Sequence, residues 1–99
     1  MLKKELIELC LLHQISQGDQ YGYDLLRRLH IAFPDTQESA VYAILRALCR
    51  NGYLEQYTGT TSDGPVRKYY RLLEHGMRRY GGLPKQWCAL KDALLELGI

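Results

Sequence analysis

Hydrophobic positions divide the first half of the chain into three segments with a helical period. Residues 2–16 are apolar around most of the helical circumference, which is typical of a helix that is buried on more than one side. Residues 20–32 carry leucines at helical spacing, and Asp19 is the predicted N-cap. This second helix ends before Pro34, because the residue before a proline is pushed out of helical geometry.

A third helix is predicted from Asp35 to Asn51. Asp35 and Glu38 have the spacing of a capping box, in which two side chains satisfy the backbone donors of the first turn. An apolar stripe at positions i, i+3, i+4 and i+7 then marks the buried face of an amphipathic helix. The residues of this stripe are Val41, Ile44, Leu45 and Leu48.

Beyond residue 52 the hydrophobic period changes from that of a helix to that of a strand. Residues 53–58 and 66–72 are rich in aromatic and branched side chains, which favour strands. Residues 59–65 between them are polar and bounded by glycine and proline, which predicts a flexible loop. The two segments therefore predict a β-hairpin.

The last quarter of the chain returns to a helical pattern, interrupted by Gly81-Gly82 and Pro84. We expect a short helix to about Tyr80, a break near residues 81–84, and a second helix that starts at the proline. Apolar residues in this tail alternate at spacings of four and three, as at the a and d positions of a coiled coil. They are Leu83, Trp87, Leu90, Leu94 and Leu97.

Three helices followed by a hairpin is the element order of a winged helix-turn-helix, so the expected fold is mainly α with a small β-hairpin. In this fold the second helix of the helix-turn-helix pair enters the major groove of DNA. One turn per 3.6 residues sets part of the third helix opposite its buried stripe. The residues on this outer face are Ser39, Ala43, Arg46 and Arg50, with Tyr42 at its border.

These side chains suit contact with DNA. Arginine donates two hydrogen bonds to guanine or to phosphate, and a tyrosine hydroxyl donates to phosphate. In the hairpin, strand alternation places Arg67 and Arg71 on one face and Lys68 on the other, where they can reach the backbone of a neighbouring groove. Two simpler interpretations stay open: a solvated helix face, and a charged edge strand that resists aggregation.

Size predicts a partner for the apolar surface. A chain of 99 residues forms one thin core, which oligomerisation commonly extends. We expect a homodimer with residues 1–72 as its DNA-binding domain and residues 73–99 as its dimerisation helix, broken near residues 81–84. The predicted interface residues are Leu6, Leu9, Leu83, Trp87, Leu90, Leu94 and Leu97.

Net charge leaves an alternative function open. A net charge of +2 is too small to identify a nucleic-acid binder. A winged helix whose third helix binds a partner protein, without DNA, is therefore the competing hypothesis. The two differ in salt dependence, because phosphate contacts lose affinity steeply as salt rises.

No set of residues indicates catalysis, a metal site or a cofactor. Cys10, Cys49 and Cys88 are far apart and form no CxxC pair, so we expect three free thiols in a reducing cytoplasm. The N-terminal apolar stretch is too short and too interrupted for a signal peptide or a membrane span. The sequence predicts a cytoplasmic protein that is not an enzyme and has no membrane partner.

Several stretches, taken in order, resemble the PadR-like transcriptional regulators, and within them the short C-terminal subfamily. They are residues 20–26 (QYGYDLL), 41–48 (VYAILRAL), 51–54 (NGYL) and 67–72 (RKYYRL), followed by Gly76. Any one of these stretches alone is a weak signal, and the ordered set is specific.

The resemblance implies a winged-helix dimer that binds a pseudo-palindromic operator and usually represses, with its last helix packed on the partner's first. Tyr42 and Arg46 take the DNA-facing role by position. Some short PadR-like proteins bind planar drugs between paired tryptophans, so Trp87 is the candidate residue for a small planar hydrophobic effector. Packing within the interface is the alternative role for Trp87. Leu73 stands where the family commonly has a threonine N-cap.

Overall fold

The computed structural model describes residues 3–60 and 64–99, and it has the predicted winged-helix architecture. In these residues the elements are α1 (Lys3–Ser16), β1 (Gln20–Tyr21), α2 (Gly22–Ala32), α3 (Glu38–Arg50), β2 (Leu54–Thr60), β3 (Val66–Leu72) and α4 (Glu74–Glu96). The fold is mainly α with a small antiparallel sheet, as expected. Leu2 and residues 61–63 of the predicted loop lie outside the described residues.

One hydrophobic core joins α1, α2, α3 and the sheet. The side chains with 0% exposure are Leu11, Leu12, Leu25, Val41 and Leu45. The whole predicted stripe of α3 is buried, which confirms the amphipathic pattern. On α1, by contrast, Leu6 and Leu9 are only half-buried by their own chain.

The hairpin gains a third strand that the sequence pattern did not predict. β1 pairs antiparallel with β3, so the strand order is β1-β3-β2. Tyr69 of β3 lies opposite Tyr21 of β1 on one side and Tyr57 of β2 on the other. Helix α2 therefore starts two residues later than predicted, and Asp19 is not its N-cap. Asp19 instead accepts a hydrogen bond of 2.6 Å from the Tyr57 hydroxyl.

Helix α3 begins three residues after its predicted start. The backbone N–H of Thr36 donates to the carbonyl oxygen of Phe33 at 3.1 Å, which closes a turn before the helix. Asp35 lies inside this turn, so it cannot cap the helix. The N-cap is Gln37 without a side-chain cap bond, and the capping box predicted with Glu38 is wrong.

Helix α4 runs without interruption from Glu74 to Glu96, so the predicted break near residues 81–84 is wrong. Pro84 removes one backbone donor from the helix, and the adjacent glycines are poor helix formers. Tertiary packing outweighs these local preferences, as it does for most helices in proteins. Arg79, just before the weak stretch, is hydrogen-bonded to α1, and Leu83, inside it, is buried in the core, so tertiary contacts hold the helix where local propensity is poorest.

Leu83 does not belong to the predicted subunit interface. Its side chain is 1% exposed and packs with the core residues of its own chain. The a/d spacing that grouped it with Trp87 describes one face of α4. The spacing does not show at which residue this face stops packing on its own chain and becomes available to another surface.

Candidate DNA-binding surface

The predicted outer face of α3 is exposed, and two of its members, Ala43 and Arg50, also line an open cleft that α3 shares with the start of α1. Its members are all exposed: Ser39, Ala43, Arg46 and Arg50. The opposite face holds the buried stripe and anchors the helix in the core. An amphipathic helix fixed in this way presents its outer side chains rigidly, which suits insertion into a groove of DNA.

Tyr42 lies at the border between the core and the outer face. It is half-buried, and this burial together with the nearby carboxylate of Glu38 raises the pKa of its hydroxyl. The phenol therefore stays protonated at neutral pH and is able to donate a hydrogen bond. A phosphate oxygen is a suitable acceptor for such a donor.

The hairpin of β2 and β3, here called the wing, separates its basic residues onto two faces. Arg67 lies over the ring of Tyr21, with 4.9 Å from its guanidinium carbon to the ring centroid. Arg71 lies over Tyr57 on the same face at 5.6 Å. Lys68 lies between them in sequence and so projects from the other face.

The two wing arginines differ in their charge partners. Arg71 forms an ion pair with Glu55, directly opposite it on β2. Among the residues that the structure describes, Arg67 has no carboxylate within salt-bridge distance. When an arginine without such a partner binds an anion, no existing ion pair is broken. Arg67 is therefore better suited than Arg71 to contact phosphate.

A cleft of about 260 Å³ lies between α3 and the wing and brings together predicted residues from both. Its lining includes Tyr21, Gly22, Tyr42, Arg67 and Lys68. The sequence analysis missed Tyr21, which reaches the wing only because β1 pairs with β3. No local pattern marks such a residue, since its partner strand lies far along the chain.

A second predicted surface lies on the distal half of α4, after Pro84. Trp87, Leu90, Leu94 and Leu97 are 41%, 37%, 43% and 77% exposed. Trp87 also borders an apolar cavity of about 400 Å³ whose lining includes Leu9, Cys10, Tyr80 and Pro84. The structure therefore brings Trp87 together with the predicted interface residue Leu9.

A metal centre and a membrane-spanning helix are both absent from the described part of the chain. Within residues 3–60 and 64–99, no group of three or more His, Cys, Asp or Glu side chains is arranged to hold a metal ion. No helix in these ranges combines the length and the apolar character needed to cross a bilayer.

Known proteins share this fold and its sequence features. Residues 11–81 match the model of the transcriptional regulator PadR-like family. A solved structure from Streptococcus mutans is 35% identical, covers 95% of this chain and 90% of its own, and has a TM-score of 0.86. A Streptococcus transcriptional regulator is 31% identical, with coverage of 97% and 95% and a TM-score of 0.86. A PadR-like transcriptional regulator from Bacillus cereus is 28% identical, with coverage of 93% and 90% and a TM-score of 0.84.

The fold and the exposed face of α3 are those of a winged-helix protein of the class that regulates transcription. The family match spans well over half of the chain, so the chain belongs to the PadR-like family of transcriptional regulators. It is a transcriptional regulator and not an enzyme.

Proposed function

We propose that this regulator is a cytoplasmic homodimer that represses transcription by binding a pseudo-palindromic operator. The observation that supports this most is the exposed position of Arg46 on α3. One turn earlier on the same helix, Tyr42 shares a cleft with Arg67 and Lys68 of the wing. In this proposal α3 enters the major groove and Arg46 donates to a base edge. The wing contacts phosphates of the neighbouring backbone.

The remaining residues of α3 have supporting roles. Ser39 and Tyr42 donate hydroxyl hydrogen bonds, Ala43 lets the helix approach the groove closely, and Arg50 reaches a phosphate at the end of the helix. Arg71, a residue of the sequence-based prediction, is left out of this set because Glu55 already engages it.

Apolar exposure on α4 supports the dimer. A row of large apolar side chains exposed on one helix favours association with a second apolar surface. A two-fold axis near Trp87 would let each chain cover the other's Leu90 and Leu94, together with Leu9 of α1. Helix-turn-helix dimers bind half-sites about 34 Å apart, so the proposed dimer must hold its two copies of α3 at that spacing.

Paired arginine substitutions test the DNA-binding part of the proposal. Arg46→Ala should weaken binding to the operator by about 1–3 kcal/mol, the range for loss of one bidentate base contact, and should affect unrelated DNA much less. Arg67→Ala should weaken binding to both DNAs alike, because phosphate contacts carry no base information. Dissociation constants measured for both DNAs at several salt concentrations, by fluorescence anisotropy, separate the two effects.

Arg78→Ala is the matched control, since Arg78 is an exposed arginine on α4 whose partner is Glu74 on the same helix. It should leave both affinities unchanged. Wild-type protein whose DNA affinity is absent, or independent of salt, would reject the proposal in favour of a protein-binding winged helix. Arg46→Ala that binds operator normally but melts earlier would show a structural role.

We also propose that a flat hydrophobic molecule binds beside Trp87 and relieves repression. The apolar cavity next to Trp87 supports this, because two such cavities would meet across the two-fold axis. A guest held there would change the spacing of the two α3 helices and so couple to DNA binding.

Trp87 is the sole tryptophan of the chain, so its fluorescence reports on this site directly. Planar aromatic dyes should quench it saturably. Trp87→Ala, which has no tryptophan and is therefore followed through the fluorescence of the dye, should lose dye binding while the protein stays dimeric. A varied dye panel without saturable quenching would assign Trp87 to interface packing alone.

A further inference from the structure

Tyr21 occupies a position that is fixed from two sides. It is paired with Tyr69 in the sheet, and it is also the N-cap of α2, with extended backbone angles of φ −73° and ψ 132°. Its ring lies near that of Tyr69, with 6.0 Å between centroids. A ring held by a strand pair and a helix start offers a rigid platform to whatever packs on it.

Arg67 packs on this platform. Its guanidinium carbon lies 4.9 Å from the Tyr21 centroid. Its cross-strand neighbour on β2 is Gly59, which has no side chain. A Cβ at Gly59 would come within 2.8 Å of the Tyr69 ring, so this position has no room for a side chain that could support Arg67 instead.

Among the described residues, no acceptor occupies the hydrogen-bonding edge of Arg67. A guanidinium stacked on a ring uses its flat face, while its N–H groups point outward in the plane and remain available to an acceptor. Arg71 repeats the stacking arrangement on Tyr57, but its Nη2 group donates a hydrogen bond to Glu55. Among the described residues, therefore, a carboxylate accepts a hydrogen bond from the stacked guanidinium of Arg71 but not from that of Arg67.

We propose that Tyr21 is a positioning residue that holds the Arg67 guanidinium ready for a DNA phosphate. This inference rests on the DNA-binding function proposed above. A free arginine side chain loses rotamer freedom when it binds a phosphate, and stacking on Tyr21 removes most of that freedom beforehand. Tyr21 thus strengthens a contact that it does not itself make.

The test is a double-mutant cycle on DNA affinity with Tyr21→Leu and Arg67→Ala. Tyr21→Leu should weaken binding to operator and unrelated DNA alike by about two- to fivefold, the range for an exposed cation–π contact. In the Arg67→Ala background the same change should have no further effect. Tyr21→Phe keeps the ring and should bind like wild type. Tyr57→Leu, which removes the ring under Arg71, is the matched control and should leave affinity unchanged.

Three results would overturn the inference while the proposed function stands. In the first, wild-type protein binds DNA with the expected salt dependence and Tyr21→Leu binds equally well. In the second, Tyr21→Leu binds more weakly, but the same loss of affinity persists in the Arg67→Ala background. Loss of affinity in Tyr21→Phe equal to that in Tyr21→Leu would also overturn it, because the hydroxyl would then be the contact. Wild-type protein without salt-dependent DNA binding would instead refute the proposed function. Melting temperatures of all variants identify any loss that comes from unfolding.

Discussion

The two halves of α4 show how one continuous helix meets two different environments. Before Pro84 the helix packs on its own chain: Arg79 donates two hydrogen bonds to Glu8, of 2.8 and 3.2 Å, and Leu83 is buried. After Pro84 the same apolar spacing continues, but Trp87 and Leu94 stay more than a third exposed. Trp87 still borders a cavity shared with α1, and every residue of α4 after it is exposed.

This difference shows that spacing alone does not identify the partner of a helix face. The proximal half, residues 74–83, ties α4 to α1 through an ion pair whose carboxylate, that of Glu8, is 9% exposed. The hydrogen bond from Arg79 to Glu8 raises the pKa of Arg79, so the guanidinium stays charged at any ordinary pH. The distal half, residues 84–96, carries no comparable bond to the body among the described residues. We therefore assign the proximal half to the monomer fold and the distal half to the proposed dimer.

The largest expected effect is on oligomeric state. Leu90→Glu combined with Leu94→Glu should convert the dimer to a monomer at micromolar concentration, because each buried leucine contributes about 1.5–3 kcal/mol and each carboxylate would be buried unpaired. Sedimentation velocity measures this change. Leu95→Glu, which replaces an exposed leucine outside the a/d spacing, is the control and should leave the dimer intact. A wild-type monomer would contradict the assignment of the distal half.

The next effect is on folding stability. Leu83→Ala should lower the free energy of unfolding by about 2–5 kcal/mol, because it empties a fully buried site in the core. Leu95→Ala, on the distal half but 62% exposed and outside the a/d spacing, should change it by about 0.5 kcal/mol or less. Urea unfolding at one fixed protein concentration compares the two variants. Equal losses would show that the two halves are not distinct.

Thiol reactivity gives a third and smaller contrast. Burial raises the pKa of the Cys10 and Cys49 thiols, which lowers their thiolate fraction at pH 8, whereas Cys88 on the distal half is exposed. In the monomeric glutamate variant Cys88 should react with iodoacetamide about tenfold faster than either, because the thiolate is the nucleophile. Peptide mass spectrometry gives the three rates. Faster labelling of Cys10 or Cys49 would contradict the described burial.

The smallest effect tests the continuity of α4. A methyl group at Gly82 would meet no other atom within 4 Å, so Gly82→Ala should stabilise the protein by about 0.5–1 kcal/mol. Gly76→Ala is the contrasting variant, since its Cβ would collide with the Tyr53 carbonyl, and it should destabilise. Thermal melting shows whether each variant is stabilised or destabilised. Destabilisation by Gly82→Ala would contradict the continuous helix and favour the break that the sequence predicted.

Local patterns predicted the body of the fold and much of the candidate site. The apolar stripe of α3 is buried as its spacing indicated, and this alone sets Arg46 on the exposed face. The order of three helices and a hairpin was sufficient for the fold class. These features depend on periods within one element, which residues close in sequence determine by themselves.

Tertiary structure decided the features that depend on residues far apart in sequence. Pairing of β1 with β3 moved Tyr21 under Arg67, and Glu55 on the neighbouring strand engaged Arg71. Burial of Leu83 in the core helped stabilise α4 across two glycines and a proline, where local propensity predicts a break. A chain's own sequence therefore determined which faces are apolar or basic, while long-range contacts decided which of those faces are covered, because burial is a property of the packed chain and not of any segment.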